Sequence, residues 1–473
     1  MGMVARRTWL EQVSAVAERG REVLNRRGHS RRTPDARTLC QRLLAQRGEA
    51  SGLALAAELV AAVERMDGAA TADFLDVLAA GFSPDLRRLD EAVERWRTAR
   101  DADALLGLGA ATEPPRQELF RRLNMAPGGT AALVALRGRL LDLLAERPRL
   151  RAVDADLHHL LSSWFNRGFL RLEEISWRTP AVVLERLIRY EAVHEIHGWD
   201  DLRLRLAADR RCFAFFHPAL PDEPLVFVEV ALTRGLTTAI RPLLDQERTV
   251  ADPAQADTAV FYSINNCQRG LRGVSFGNFL LKQVVSELSA ELPGLRTFAT
   301  LSPLPGFAAA LDGRDDPGGF TDERVRALVG DAAPAVSRLG GDDDPAAALR
   351  RLLAGSTPYP PAVEPVLARL ALAYLLHLRQ GQRVADPVAD FHLSNGARLE
   401  RVQVDADRSE GGRRSHGVMA NYVYEPDRLE LNHEQYVETG QLALRRGLAA
   451  EARRIGAAWR HSSIRLSARA PEA

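Results

Sequence analysis

The sequence predicts an α+β protein in which an all-helical bundle precedes a domain built from both helices and strands. In the first third of the chain, apolar residues recur at helical spacing, as in the series Leu133, Leu136 and Leu140, which is the pattern of bundle helices. In the rest of the chain, β-prone apolar runs alternate with helical patterns, as in domains that pack helices on a sheet. We therefore predict an all-helical domain over residues 1–163 and an α/β domain over residues 164–473.

Length and composition limit the class of protein. A chain of 473 residues exceeds one ordinary core, and 26% charged residues with a net charge of +1 are typical of a soluble globular protein. This charge balance favours neither nucleic acid nor a membrane as partner, and no apolar run approaches the ~20 residues that span a bilayer. Cys40, Cys212 and Cys267 are too far apart to indicate a disulfide framework or a metal site. We expect a cytoplasmic protein, and the arginine- and alanine-rich composition suggests a bacterial genome.

One stretch organises the second domain. A β-prone run at 259–264 precedes a polar turn that contains Gly270, Gly273 and Gly277, and a helical pattern then leads to a second β-prone run at 295–301. Unpaired N–H groups and the macrodipole at a helix N-terminus attract anions. The turn is therefore interpreted either as an anion cradle suited to a pyrophosphate or as a plain chain reversal. Its glycine spacing fits neither the Rossmann nor the Walker pattern.

Several words of the sequence resemble malonyl-CoA decarboxylases, in the order in which that family carries them, over roughly residues 165–425. The words are FYSINNCQRGLRGVSFGNFLLKQVV, FATLSPLPGF, DPVADFHLSNGARLERV, GFLRLEEISW, EPLVFVEVALT and GVMANYVY. The resemblance implies a helical N-terminal domain in which subunits associate, as a tetramer or a dimer. It also implies a catalytic domain of the N-acetyltransferase (GNAT) type with a mixed central sheet, and the decarboxylation of malonyl-CoA to acetyl-CoA and CO₂.

Two residues are the candidate catalytic groups. Taken alone, Ser302 before Pro303 is typical of a turn, and His392 is compatible with a histidine that is satisfied by neighbouring backbone. The resemblance implies otherwise, because the family's catalytic serine lies in the word LSPLPGF and its catalytic histidine in FHLSNGA. We therefore assign His392 as the proton donor to the enolate carbon and a partner of the thioester oxygen, and Ser302 as the group that contacts the malonyl carboxylate.

The implied chemistry explains why such residues are needed. Loss of CO₂ from a β-carboxy thioester leaves charge on an enolate, which positioned donors must stabilise. A proton must then reach the α-carbon, for which a histidine is suited. This reaction needs no metal or other cofactor, since coenzyme A is part of the substrate.

The resemblance further implies that the turn holds the phosphates of coenzyme A, although it departs from the Q/R-x-x-G-x-G/A pattern usual in the acetyltransferases. The predicted cradle comprises Gln268, Gly270, Arg272, Gly273, Val274, Ser275, Phe276, Gly277 and Asn278. Asn421 and Tyr422 are possible pocket residues, and packing within a strand is the alternative for both.

Local patterns predict further elements of the second domain. We expect strands at 212–218 and 224–232, and solvated acidic insertions after residue 307. The word DPVADFHLSNG is interpreted as a loop that ends in a hairpin turn at Asn395-Gly396, since Asn-Gly pairs favour such turns.

Two other functions remain open at this point. A coenzyme A-dependent N-acyltransferase would share the cradle but would need a site for an amine, whereas a non-catalytic acyl-CoA-binding protein would need neither Ser302 nor His392. Release of CO₂ from malonyl-CoA without any amine would distinguish a decarboxylase from both.

Overall fold

The structure, a computed structural model, describes residues 15–19, 35–274, 279–313, 319–355 and 358–468. The chain forms two compact units. The helical unit comprises Met1–Glu173, Phe215–Val226 and Asn266–Gly277, and the sheet unit comprises Glu174–Ala214, Phe227–Asn265 and Asn278–Ala473. These units are spatial groupings, each assembled from three segments of the chain. The predicted domain boundary between residues 163 and 164 therefore stays a prediction.

The helical unit confirms the prediction of a bundle. Several of its helices begin at an aspartate whose carboxylate accepts a backbone N–H of the first turn, which satisfies groups that the helix leaves unpaired. Apolar residues at helical spacing form the core, with Leu59, Leu75 and Leu136 almost fully buried. Its helices are α1 (Ala36–Ala45), α2 (Glu49–Glu64), α3 (Gly68–Gly81), α4 (Leu86–Ala99), α5 (Ala102–Thr112), α6 (Pro115–Asn124), α7 (Gly129–Leu143) and α8 (Arg151–Trp164).

The remaining elements are strands and helices, as the α+β prediction requires. The strands are β1 (Arg171–Ile175), β2 (Arg210–His217), β3 (Leu220–Thr233), β4 (Thr258–Asn266), β5 (Thr297–Thr300), β6 (Ser302–Pro303), β7 (Arg379–Gln380), β8 (Arg383–Val384), β9 (Arg398–Gln403) and β10 (Met419–Tyr424). The helices are α9 (Ala181–Tyr190), α10 (Trp199–Arg205), α11 (Arg241–Leu244), α12 (Phe279–Glu291), α13 (Phe307–Asp312), α14 (Asp322–Val329), α15 (Ala333–Gly340), α16 (Pro345–Leu353), α17 (Glu364–His377), α18 (Pro387–Ser394), α19 (Leu429–Thr439) and α20 (Arg446–Ala468).

The strands form a mixed sheet in the order β1-β2-β3-β4-β5-β10-β6, with β9 also paired to β10. Strands β4 and β5 are parallel neighbours, with Thr258 opposite Thr297. Because parallel neighbours need a crossover connection, α12 joins them, which confirms the predicted strand–helix–strand unit. Strand β10 runs antiparallel to β5, β6 and β9, and this makes the sheet mixed. Among the helices of the described residues, none is long and apolar enough to cross a bilayer.

Two local predictions are wrong. The connection between β2 and β3 contains only Pro218 and Ala219, because β3 begins at Leu220 and includes most of the proline-bearing segment that we expected to be a loop. The acidic stretches after residue 307 lie in the connections of four short helices, α13 to α16, and one of their aspartates, Asp344, caps α16. Residues 314–318 lie outside the described residues, and the solvated insertions stay a prediction.

The second error concerns the segment that carries His392. The segment predicted as a loop is the helix α18, which begins after Asp386 and ends at Ser394. The Asn-Gly pair ends this helix and forms no hairpin. Gly396 takes a φ of +80°, and the N–H of Ala397 returns to the carbonyl of His392, as at many helix C-termini.

Candidate active site

Strand pairing fixes the position of Ser302. Ser302 and Pro303 form the short strand β6, in which Ser302 lies opposite Ala420 and Pro303 lies opposite Met419 of β10. Strand β5 pairs with the following part of β10, so β5 and β6 lie along the same neighbouring strand. The serine is 7% exposed. Its hydroxyl is therefore held by a sheet and not by the turn that the sequence suggested.

A short, well-capped helix positions His392. The carboxylate of Asp386 accepts the N–H groups of Val388 and Ala389, each at 3.0 Å, and Pro387 takes the first helical position, where no N–H is needed. His392 lies in the last turn of this helix and is 2% exposed. The helix therefore carries the imidazole into the interior of the sheet unit.

The structure brings the two candidate catalytic residues together, although 90 residues separate them in sequence. The Nε2 atom of His392 lies 2.8 Å from the Ser302 hydroxyl oxygen. On the other side of the ring, Nδ1 lies 2.7 Å from the hydroxyl of Tyr424. Tyr422 stacks on the same imidazole at 4.7 Å between ring centroids. Both ring nitrogens are thus hydrogen-bonded, and one face of the ring is covered.

Burial controls the charge of this site. Desolvation lowers the pKa of His392 from its ordinary 6.5 to about 3, so that the imidazole is neutral at pH 7. Burial also raises the pKa of Tyr424 well above its ordinary range, and this hydroxyl therefore keeps its proton. If Tyr424 donates to Nδ1, the imidazole proton lies on Nε2 and the Ser302 proton is available to a ligand.

The lowered pKa of His392 has a consequence for stability. The unfolded chain binds a proton at this residue below pH 6.5, whereas the folded chain resists protonation until about pH 3. Its contribution to folding is thus complete above pH 6.5 and is lost as the pH falls toward 3. Between pH 7 and pH 5, the loss from this residue is about 2 kcal/mol.

We expect urea unfolding at these two pH values to show a smaller loss for His392→Asn than for the wild-type protein, by about that amount. All other titrating groups are common to both proteins, so the difference isolates this residue. Equal losses in the two proteins would contradict the buried, neutral imidazole.

Asp386 connects the two segments that carry the candidate catalytic residues. One of its carboxylate oxygens caps α18, whereas the other accepts the N–H of Gly306 at 3.3 Å and the hydroxyl of Tyr374 at 3.1 Å. Gly306 follows Ser302 by four residues, and Asp386 itself is fully buried. A side chain at Gly306 would collide with the Tyr374 hydroxyl, so glycine permits this approach. Sequence reasoning missed Asp386, although an Asp-Pro pair before a helix is the signal of such a cap.

The two possible pocket residues differ in their environment. Tyr422 contacts His392, and its buried hydroxyl has no hydrogen-bond partner among the described residues. Asn421 instead bonds to the carbonyls of Thr237 and Thr300 and to the side chain of Gln403. These bonds tie β10 to β5, to β9 and to the segment that follows β3. Sequence reasoning also missed Tyr424. Alternation along a strand was the available signal, since residues two apart share one face of a sheet.

The described half of the predicted cradle belongs to the helical unit. Gln268 donates through its amide to the Pro224 carbonyl. The N–H groups of Arg272 and Val274 are already bonded within the turn, to the carbonyls of Arg269 and Leu271. Four predicted cradle residues lie outside the described residues, namely Ser275, Phe276, Gly277 and Asn278. Within the described ranges, no group of three or more His, Cys, Asp or Glu side chains is arranged to hold a metal ion.

Comparison with known proteins adds the family. Residues 168–462 match the family model of the malonyl-CoA decarboxylase C-terminal domain, and residues 82–165 match that of the N-terminal domain. The mitochondrial malonyl-CoA decarboxylase of Anser anser anser is 34% identical over 392 residues, which cover 79% of this chain and 78% of that protein. The protein of the same name from Rattus norvegicus is 34% identical over 377 residues, with 76% and 77% covered.

Solved structures agree with these sequence matches. The malonyl-CoA decarboxylase of Rhodopseudomonas palustris is 50% identical, with a TM-score of 0.79, and the match covers 87% of this chain and 98% of that one. The enzyme of the same name from Agrobacterium vitis is 47% identical, with a TM-score of 0.74 and coverages of 89% and 100%.

The fold and the site together define a class of protein. A helical N-terminal region precedes a mixed sheet that contains a strand–helix–strand unit and a buried imidazole–hydroxyl pair, which is the α+β architecture that the sequence predicts. Within that class, the chain belongs to the malonyl-CoA decarboxylase family.

Proposed function

We propose that this chain decarboxylates malonyl-CoA to acetyl-CoA and CO₂ at the His392–Ser302 pair. The observation that carries the proposal is the 2.8 Å contact between these two buried side chains, which come from the two segments that resemble the family's catalytic words. A buried histidine that is fully hydrogen-bonded but uncharged is suited to proton transfer with a bound anion.

In this proposal, Ser302 holds the malonyl carboxylate and His392 acquires a proton when the substrate binds. The free imidazole is neutral because burial lowers its pKa, but a bound negative charge raises the pKa of a neighbouring imidazole. The Tyr424 hydroxyl can donate to Nδ1 of the neutral ring or accept from Nδ1 of the charged ring, so its 2.7 Å hydrogen bond serves both states.

The reaction then proceeds in two balanced steps. The electron pair of the bond between the α-carbon and the carboxylate moves into the thioester, so that CO₂ leaves and an enolate remains. The proton on Nε2 then moves to the α-carbon, which gives acetyl-CoA and returns His392 to its neutral state. One proton is consumed per turnover and is taken from solvent. We further propose that the segment 268–278 binds the phosphates of coenzyme A.

The decisive experiment is incubation of the purified chain with malonyl-CoA in the absence of any amine. We expect stoichiometric CO₂ and acetyl-CoA. An N-acyltransferase would give neither product at a significant rate under these conditions, and an acyl-CoA-binding protein would bind malonyl-CoA without converting it. Either result would overturn the proposal.

We also propose that the helical unit mediates self-association through α5. Every residue of this helix is described, and none is buried, although its sequence ADALLGLGAAT is largely apolar. Leu105 and Leu106 are 53% and 72% exposed. An isolated helix of this length is marginal in water, and a second copy of the chain would cover its apolar surface.

Replacing both exposed leucines of α5 with glutamate is therefore expected to dissociate the oligomer. A buried leucine contributes about 1.5–3 kcal/mol, so the two together contribute about 3–6 kcal/mol. The dissociation constant should therefore rise at least about a hundredfold. Light scattering with size-exclusion chromatography measures the change. Leu339→Glu is the matched control, because that leucine is 49% exposed in the sheet unit. Unchanged mass for the α5 variant would exclude this surface.

The proposed setting is the bacterial cytoplasm. Three cysteines in 473 residues suit a reducing compartment, and the arginine- and alanine-rich composition suits a bacterial genome. Fractionation of cells that express the chain would test the assignment, and recovery in a membrane or secreted fraction would contradict it.

A further inference from the structure

The loop that contains the first half of the predicted cradle rests on two helices of the helical unit. Residues Asn266–Gly277 belong to that unit, although more than a hundred residues separate them from its helices in sequence. Helices α7 and α8 provide the supporting surface. Side chains of these two helices form hydrogen bonds to individual carbonyls of the loop, in addition to packing against it.

Arg137, on α7, is the centre of this support. Its side chain is 3% exposed, and a single nitrogen, Nη1, donates to the carbonyls of Gly270 at 2.7 Å and Arg272 at 2.8 Å. The Nε atom donates to the carboxylate of Asp154 at 2.8 Å, which balances the buried charge. Hydrogen bonds from a charged donor are stronger than neutral ones. One side chain therefore holds two carbonyls of the loop that lie two residues apart.

Glycines permit the close approach between loop and helix. A side chain at Gly270 would collide with the carbonyl oxygen of Val134 on α7. Gly138, one residue after Arg137, faces the same loop, and a Cβ there would lie 3.5 Å from the nitrogen of Gly270. The two backbones therefore pack almost directly on one another, and the guanidinium reaches the loop carbonyls from the side.

A second contact comes from α8. The Nε2 atom of His158 lies 3.1 Å from the carbonyl oxygen of Gly273, whose φ of +82° is in the region that favours glycine. The carbonyl and the N–H of one peptide plane point in opposite directions. Since Arg137 binds the carbonyl of Arg272, the N–H of Gly273 points away from the guanidinium, to the opposite side of the loop.

We propose that Arg137 is a positioning residue for the coenzyme A-binding loop, and that the helical unit thereby sets the affinity for the substrate. The inference rests on the proposed function of the loop. Arg137 contacts carbonyls and a carboxylate of the protein, not the substrate, so it acts through the orientation of the Gly273 N–H. The N–H groups of Leu271, Arg272 and Val274 are bonded within the turn. Loss of this orientation weakens phosphate binding without changing the chemical groups at His392.

The test is Arg137→Met in the full-length chain, with coenzyme A binding by calorimetry and decarboxylation kinetics measured together. Removing two charge-assisted hydrogen bonds to the loop is expected to raise both the Kd for coenzyme A and the KM for malonyl-CoA roughly tenfold. The kcat at saturating substrate should stay within about twofold, because the interaction is made equally in the ground state and the transition state. A Kd and KM equal to those of the wild-type protein would overturn the inference.

Arg139→Met is the matched control. Arg139 lies on the same helix and also donates to backbone carbonyls, but to those of Met66 and Val63 within the bundle. Its loss should lower the melting temperature and leave the Kd and the KM unchanged. If both arginine variants raise the Kd equally, the effect is general destabilisation and Arg137 has no positioning role.

His158→Ala keeps the inference testable if Arg137→Met does not fold. This histidine is partly exposed, so its removal should be tolerated, and we expect a twofold to fivefold rise in the Kd for coenzyme A. An unchanged Kd in this variant would count against the loop contact. Calorimetry needs no turnover, and the two proposals can therefore fail separately: a wild-type chain that binds coenzyme A without releasing CO₂ defeats only the decarboxylase.

Discussion

Replacement of His392 with asparagine is expected to lower the kcat for malonyl-CoA decarboxylation by about 10³-fold. Asparagine can still donate a hydrogen bond to Ser302, but it cannot carry and deliver a proton to the α-carbon. The Kd for coenzyme A should stay the same, because no change is made in the loop 268–278. The measurement is CO₂ release under saturating substrate, with calorimetry of coenzyme A on the same preparation.

Ser302→Ala completes this experiment. Ala420 lies opposite Ser302 in the sheet, and alanine at 302 removes only the hydroxyl that lies 2.8 Å from Nε2 of His392. If the two residues act as one unit, the double variant should be no slower than the slower single variant. Full turnover by either single variant would defeat the assignment of these residues, and multiplicative losses would mean that they act independently.

The candidate site residues that lie in short local motifs were predictable from the sequence, whereas those whose position depends on long-range packing were missed. Ser302 and His392 were found because each lies in a short motif that resembles the family's. Nothing local shows that their side chains meet, since 90 residues lie between them and the contact depends on the pairing of β6 with β10. The fold class was predictable for a similar reason, because helical and strand periodicity are local properties.

The errors arose where one residue pattern serves two structures. In sequence the Asn395-Gly396 pair favours a hairpin turn, but many helices also end at a residue with positive φ, and Gly396 supplies it here. The Asp386-Pro387 pair, which precedes the same segment, is the better signal, since aspartate caps a helix and proline starts it. Arg137 carried no signal at all, because a buried arginine within an apolar helix is recognised only when its distant carbonyl partners are known.

Replacement of Asp386 with alanine is expected to produce the second largest effect on the enzyme, a loss of about 3–5 kcal/mol in the free energy of unfolding together with a tenfold to hundredfold fall in kcat. Alanine removes the cap of α18 and leaves the N–H of Gly306 and the hydroxyl of Tyr374 unpaired in the interior. Because Gly306 follows Ser302 closely and α18 carries His392, both catalytic segments lose their common anchor. Urea unfolding and CO₂ release measure the two effects.

Asp386→Asn separates the anchor from the cap. The amide oxygen can still accept the N–H groups of Val388 and Ala389, but the amide nitrogen cannot accept the N–H of Gly306. We therefore expect a smaller loss of stability than for alanine and a comparable fall in kcat. Asp344→Ala is the matched control, because Asp344 also precedes a proline and caps a helix, α16, yet makes no contact with either catalytic segment. Its loss should reduce stability by about 1 kcal/mol and leave kcat unchanged. The contrary result is a fall in kcat that is proportional to the loss in free energy of unfolding in all three variants. Asp386 would then only stabilise the fold, and the sheet alone would set the distance between Ser302 and His392.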